Sequence, residues 1–151
     1  MPEILLVCYG NICRSPMAEV LLDAALRKRL GPGHDYLITS AGTGAHDGTP
    51  ASRHGVSAMK RRDLDLSKHR ARRLTPRLIR SVDRIVCMTR EQAAEISATL
   101  PEAASKTMTL GADDVPDPIG ATAEEYERVA RLIEEWIEAL ADEIVAAQVT
   151  K

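Results

Sequence analysis

The sequence predicts an α/β domain built on a parallel sheet, and three observations lead there. A short apolar run, Ile4-Leu5-Leu6-Val7, reads as a strand. Behind it, Ala18, Leu21, Leu22, Ala25, Leu26 and Leu30 recur at helical spacing. A second strand-like run then follows, Tyr36-Leu37-Ile38-Thr39-Ser40. Strand, helix and strand within about forty residues make a βαβ unit, in which the strands are parallel and the crossover right-handed. The 151 residues suffice for one domain with a real core, spanning 1–151, and are too few for two comfortable ones.

Each further element has its own signal. Gly31-Pro32-Gly33 stops the first helix, and residues 41–52, rich in Gly, Thr, Asp and Pro, form a long loop before a helix over about 50–62. Residues 65–73 are strongly basic and read as surface or as a guide for phosphorylated protein segments; Thr75-Pro76 then opens a short helix. Asp83-Arg84-Ile85-Val86-Cys87-Met88 predicts the third strand, with Cys87 as core. A helix near 90–100 ends at Pro101, and a fourth strand is expected over 106–110. Thr122 and Glu125 have capping-box spacing at the head of a last helix, whose Val129, Ile133, Trp136, Ile137, Leu140 and Ile144 form one apolar stripe. The sum is a three-layer sandwich: a four-stranded parallel sheet with helices on both faces, flavodoxin-like or Rossmann-like. Ligands in such sheets bind at the carboxyl ends of the strands.

Composition narrows the function. A net charge of -2 gives no general electrostatic case for nucleic acid or an anionic membrane. No apolar run approaches membrane-spanning length, and Met1-Pro2-Glu3 lacks the basic start of a signal peptide, so the expected compartment is the cytoplasm. Three cysteines without an export signal argue for reduced thiols rather than a disulfide scaffold. His34, His46, His54 and His69 are scattered, and Cys8 with Cys13 has no second pair at zinc spacing, so neither a metal nor an organic cofactor is expected.

The chemistry concentrates in Val7-Cys8-Tyr9-Gly10-Asn11-Ile12-Cys13-Arg14-Ser15-Pro16. Ser15-Pro16 has the form of a helix start, a hydroxyl N-cap before a proline, so the loop after the first strand must turn tightly. Gly10 and Asn11 tolerate left-handed backbone, which lets the amides of Tyr9, Gly10, Asn11, Ile12, Cys13, Arg14 and Ser15 converge as an anion nest at a helix N-terminus. A phosphoryl group suits that point. A sulfur at Cys8, facing those dipoles and Arg14, favours the thiolate, the nucleophilic form. Arg14 can offer a bidentate fork to two phosphoryl oxygens, and Ser15 a hydroxyl to the sulfur. A proton donor for the leaving group must come from another loop. Asp113, Asp114 and Asp117 are all candidates, and Asp117 sits between Pro116 and Pro118, which stiffen its loop.

The loop resembles the signature of the low-molecular-weight protein tyrosine phosphatases, Cys-x-Gly-Asn-x-Cys-Arg-Ser-Pro, and the likeness continues through Met17-Ala18-Glu19, Ser40-Ala41-Gly42-Thr43 and Asp117-Pro118. It covers nearly the whole chain. The resemblance implies a sheet ordered 2-1-3-4 and a cysteinyl-phosphate mechanism. Cys8 would be the nucleophile, Arg14 the oxyanion clamp and Asp117, the aspartate of an Asp-Pro pair, the general acid. It implies that Asn11, Ser40 and His69 hold the loop in shape, His69 through Asn11. The partners it implies are phosphorylated proteins or peptides, met by a monomer or weak dimer. Cys13 is a redox candidate, able to form a reversible disulfide with an oxidised Cys8.

The likeness is uneven at the rim. Family members acting on phosphotyrosine usually carry a tryptophan where this chain has Ala45-His46-Asp47, and tyrosines where it has Ile119-Gly120. Each lost ring contact should weaken phosphotyrosine binding by about 0.5–1.5 kcal/mol, with Tyr9 as a partial replacement. A related arginine phosphatase branch also lacks those aromatics but carries threonine where this chain has Ile12. Phosphotyrosine is therefore the expected substrate and phosphoarginine the alternative. A thiol-dependent arsenate reductase would need two further cysteines after the third strand, where only Cys87 lies. A catalytically dead phosphate-binding module would need neither Cys8 nor Asp117.

Overall fold

The structure, a computed structural model, describes residues 1–149. Its elements run β1 (Glu3–Cys8), α1 (Arg14–Leu30), β2 (Leu37–Gly42), α2 (Arg53–Lys60), α3 (Pro76–Ser81), β3 (Arg84–Cys87), α4 (Arg90–Thr99), a 3-10 helix (Pro101–Lys106), β4 (Thr107–Thr109) and α5 (Ala123–Val149). The four strands form one parallel sheet in the order β2-β1-β3-β4. β1 therefore lies inside the sheet, with Val7 opposite Ala41 on one side and Cys87 on the other.

A central strand with covered faces needs apolar residues at every position, and β1 provides them. Ile4, Leu6 and Cys8 pack into the cluster under α1 and α5, together with Met17, Leu22, Ile133 and Ile137. Leu5 and Val7 point the other way, against Ile79, Ile85, Cys87 and Ile96 from α3, β3 and α4. Burial pushes the Cys87 thiol up to about 12, so it stays protonated in the core. Trp136 is partly buried against the first cluster, its ring lying on Gly111.

Several boundaries differ from the sequence expectation: β3 spans Arg84–Cys87 rather than 83–88, and β4 only Thr107–Thr109 rather than 106–110, since the 3-10 helix runs to Lys106. Helix α1 begins at Arg14 with Cys13 as N-cap, so Ser15 does not cap it; its hydroxyl is turned instead toward Asn11 and Cys8. β2 runs on to Gly42 because Cys8 pairs opposite that residue. Helix α2 spans only Arg53–Lys60, since Ser52 donates its backbone N–H to the Ile12 carbonyl. Pro101 ends α4 and also opens the 3-10 helix. At α5 the Thr122 hydroxyl accepts from the Glu125 N–H at 3.2 Å, but the Glu125 carboxylate pairs with Arg128 rather than closing the box.

Candidate functional site

The site lies where β1 ends, between the strand and the N-terminus of α1. The left-handed residue of the connecting loop is Asn11 (φ 55°); no such angle occurs at Gly10. This one turn aims the Asn11 N–H back at the Cys8 sulfur, 3.2 Å away. Ser15, one turn into α1, brings its Oγ to 2.9 Å from the same sulfur. Cys8 is 2% exposed, with two hydrogen-bonding groups on its Sγ.

Asn11 is the hub of the loop. Fully buried, it donates from Nδ2 to Ser15 Oγ (2.8 Å) and Ser40 Oγ (2.9 Å), and its Oδ1 accepts from the Arg72 N–H (2.9 Å). Its carbonyl lies 2.8 Å from His69 Nε2. Ser40 passes the chain on, donating to Glu19 Oε1 at 2.6 Å. Burial raises Glu19 above the usual 4.5, while the Ser40 hydroxyl, His69 and Arg72 act in the opposite sense.

Close backbone packing completes the wall. Gly42 sits where a Cβ would run into the Tyr9 carbonyl and the Asn11 nitrogen, and a Cβ on Gly44 would strike the Tyr9 ring. The Thr43 and Gly44 amides donate to the Cys8 and Tyr9 carbonyls. The Tyr9 ring is thereby laid over Gly44, with 61% of the residue exposed. Tyr9, Arg14, Thr43, Thr89, Glu91, Gln92 and Glu95 line the adjoining cleft.

Arg14 is 5% exposed and its Nη1 donates to the Val115 carbonyl at 2.9 Å. Its Nη2 faces Asp117 Oδ2 at 3.5 Å, so the loop after β4 meets the loop after β1. Asp117 Oδ1 accepts from the Ile119 N–H at 3.1 Å, which fixes the carboxylate within its own turn. Asp113 and Asp114, equal candidates by sequence, differ in place: the Asp114 carboxylate accepts from the Arg90 N–H, and no contact with Arg14 is seen for either. Ile12 is partly buried. Cys13 is 3% exposed; its Sγ lies 3.2 Å from the Tyr126 hydroxyl, and burial pushes its thiol up.

The structure thus joins Cys8 to Ser15 and Asn11, and Asn11 to Ser40 and His69, while Arg14 of the same loop meets Asp117. Reading the sequence missed Glu19, Arg72, Tyr126 and the Val115 carbonyl. Glu19 alone had a local signal, a carboxylate on the buried side of a helix. Among the described residues no cluster of three or more His, Cys, Asp or Glu side chains is arranged to hold a metal ion.

The Asn11 amide and the Ser15 hydroxyl at the Cys8 sulfur, with the Arg14 guanidinium on the same loop, bring hydrogen-bond donors and a cation to the N-terminus of α1, an arrangement suited to an anion. Residues 3–151 match the family model described as low molecular weight phosphotyrosine protein phosphatase. The probable low molecular weight protein-tyrosine-phosphatase EpsP of Ralstonia solanacearum is 38% identical over 139 residues, covering 90% of this chain and 91% of that one. The low molecular weight protein-tyrosine-phosphatase Wzb of Salmonella typhi is 38% identical over 146 residues, covering 91% and 93%. The YwlE arginine phosphatase of Geobacillus stearothermophilus superposes with a TM-score of 0.88 at 35% identity, covering 99% of this chain and 97% of that one. The tyrosine phosphatase Wzb of Escherichia coli K30, solved with sulphate, superposes with a TM-score of 0.85 at 32% identity, covering 94% and 97%. The chain belongs to the low molecular weight phosphotyrosine protein phosphatase family.

Proposed function

We propose that the protein hydrolyses phosphotyrosine on proteins or peptides through a cysteinyl-phosphate intermediate. The observation that carries this is the Ser15 hydroxyl held 2.9 Å from Cys8 Sγ on the same loop whose Arg14 reaches Asp117 at 3.5 Å. In the first step the Cys8 sulfur attacks phosphorus and the ester P–O bond breaks. Asp117 gives its proton to the leaving phenolate oxygen. Arg14 and the loop amides of Tyr9 to Ser15 hold the three equatorial oxygens as charge spreads onto them. In the second step water attacks the phosphocysteine, Asp117 takes its proton, and the P–S bond breaks. The Ser15 hydroxyl supports the departing thiolate.

Asn11, Ser40 and His69 act through the loop rather than on the substrate. Neither a metal nor an organic cofactor enters these steps. Tyr9 supplies the one aromatic wall on this side of the cleft, and Ile12 gives an aliphatic contact better suited to an aryl ring than to a guanidinium. We place the enzyme in the cytoplasm as a monomer or weak dimer; three unbridged cysteines support a reducing compartment.

Turnover of matched phosphotyrosine and phosphoarginine peptides, with Cys8→Ser as blank, tests the reading. Preference for phosphotyrosine supports it. Preference for phosphoarginine would favour the alternative reading, to which the exposed, non-aromatic Ile119 rim is the pointer. Absence of both activities would leave a phosphate-binding module.

A further inference from the structure

Charge is segregated in this molecule although its total is only -2. Residues 66–82 hold six lysines and arginines and no carboxylate, whereas α5 carries eight acidic residues against two arginines. A solvated surface with no ligand gains nothing from such a split, since like charges side by side repel.

The basic stretch is part of the site's wall. Its backbone docks on the end of β2: the Gly42 N–H donates to the Arg72 carbonyl and the Leu74 N–H to the Gly42 carbonyl. His69 and Arg72 touch Asn11 itself. Thr43, a wall residue, shares a small hollow with Leu74, Thr75 and Pro76, so α3 begins beside the wall. From this base Arg70, Arg73 and Arg77 are exposed, and none forms an ion pair among the described residues. Arg80, at the other end of α3, lies toward the far edge of the sheet, where Lys106 donates to its carbonyl. Glu91 and Glu95 of α4 are exposed at the edge of the cleft, and Glu95 also lines the hollow at the head of α3.

We propose that the strip Arg70, Arg73 and Arg77 binds acidic residues flanking the phosphorylated residue of a protein substrate, so that the enzyme selects phosphorylated segments with an acidic side. The inference rests on the phosphatase reading. A phosphoryl group held in the loop fixes one point of the bound chain, and neighbouring residues on one side then pass over the strip. Residues passing toward α4 meet Glu91 and Glu95 instead, so acids there gain nothing.

The test compares kcat/KM for phosphotyrosine peptides with neutral flanks or with acids on one flank, in wild type and in Arg73→Glu/Arg77→Glu. Exposed charge pairs and steering together should favour the better acidic peptide by about threefold to tenfold near ~50 mM salt, shrinking toward parity near ~500 mM. The double charge reversal should abolish the preference. Turnover of para-nitrophenyl phosphate, too short to reach the strip, reports the loop alone. Equal kcat/KM for all peptides at low salt, with that small substrate still turned over, overturns the proposal and leaves the phosphatase reading intact. If wild type turns over neither kind of substrate, the phosphatase reading fails. Affinity of the same peptides for Cys8→Ser then decides the strip. Tighter binding of that variant to anionic lipid vesicles than to the acidic peptides would assign the strip to a membrane and overturn the proposal.

Discussion

At the scale of single residues, Asn11 does more than any reacting group to define the loop. It holds a left-handed conformation, and its side chain joins Ser15, Ser40 and the Arg72 backbone. Asn11→Ala would leave these buried partners unpaired and keep a Cβ at positive φ. We expect a loss of about 2–4 kcal/mol in stability, read by chemical denaturation, with kcat down by at least about tenfold because Cys8 loses its orientation. Cys13 invites a different experiment. Burial pushes its thiol up, and it lies on the same loop five residues after Cys8. If peroxide converts Cys8 to a sulfenic acid, Cys13 can displace water from it to give a disulfide, which dithiothreitol reverses. Cys13→Ser should then lose activity irreversibly at peroxide levels from which wild type recovers; equal recovery in both would show that Cys13 gives no protection.

At the scale of elements, the loop carrying Asp117 is tied to the head of α4. Asp114 accepts from the Arg90 N–H, and the Arg90 guanidinium donates to the Ala112 carbonyl, both at 2.9 Å. Thr89 and Gln92 form a complete capping box beneath them. Loosening the tether in Asp114→Ala should lower kcat/KM, which reports P–O cleavage, severalfold for phenyl phosphate, whose leaving group needs its proton. It should matter far less for para-nitrophenyl phosphate, whose phenolate leaves unaided, and a uniform effect on both would refute a role in placing the acid. That helix cap is legible in the sequence, because Thr89-Arg90-Glu91-Gln92 has the required spacing; Thr122 and Glu125 have the same spacing, yet the Glu125 carboxylate turns to Arg128. Ser15-Pro16 misled as well. Its local chemistry is that of a cap, but a hydroxyl makes limited bonds, and partners supplied by Asn11 and Cys8 won. Strand identity and order were legible because apolar runs and βαβ connectivity are local or nearly so. The grips of His69, Arg72 and Tyr126 were hidden, because each joins residues far apart in sequence and no periodicity records such a contact.

For the whole molecule, pH should act on stability through two carboxylates with opposite signs. Glu127 of α5 is lowered from 4.5 mainly by hydrogen bonding to Arg62, with Arg61 adding to it, so the folded state favours its ionised form. That contribution is complete above about 4.5 and is lost as pH falls through the lowered folded value, loosening the tie between α2 and α5. Glu19 is raised above 4.5 by burial, so the folded state favours its protonated form. Its contribution is complete below 4.5, diminishes as pH rises toward the folded value, and is gone above it. Glu19→Gln keeps an oxygen for the Ser40 hydroxyl while removing the buried charge. Urea denaturation from pH 4 to 7.5 should therefore show this variant equal to wild type at the acid end and more stable at the neutral end. In Arg62→Ala the order reverses: the deficit against wild type should hold from neutral pH down to about 4.5 and shrink only as the pH is taken further below it. A Glu19→Gln variant less stable than wild type at pH 7.5 would mean that the charge itself, through His69 and Arg72, is what braces the phosphate loop.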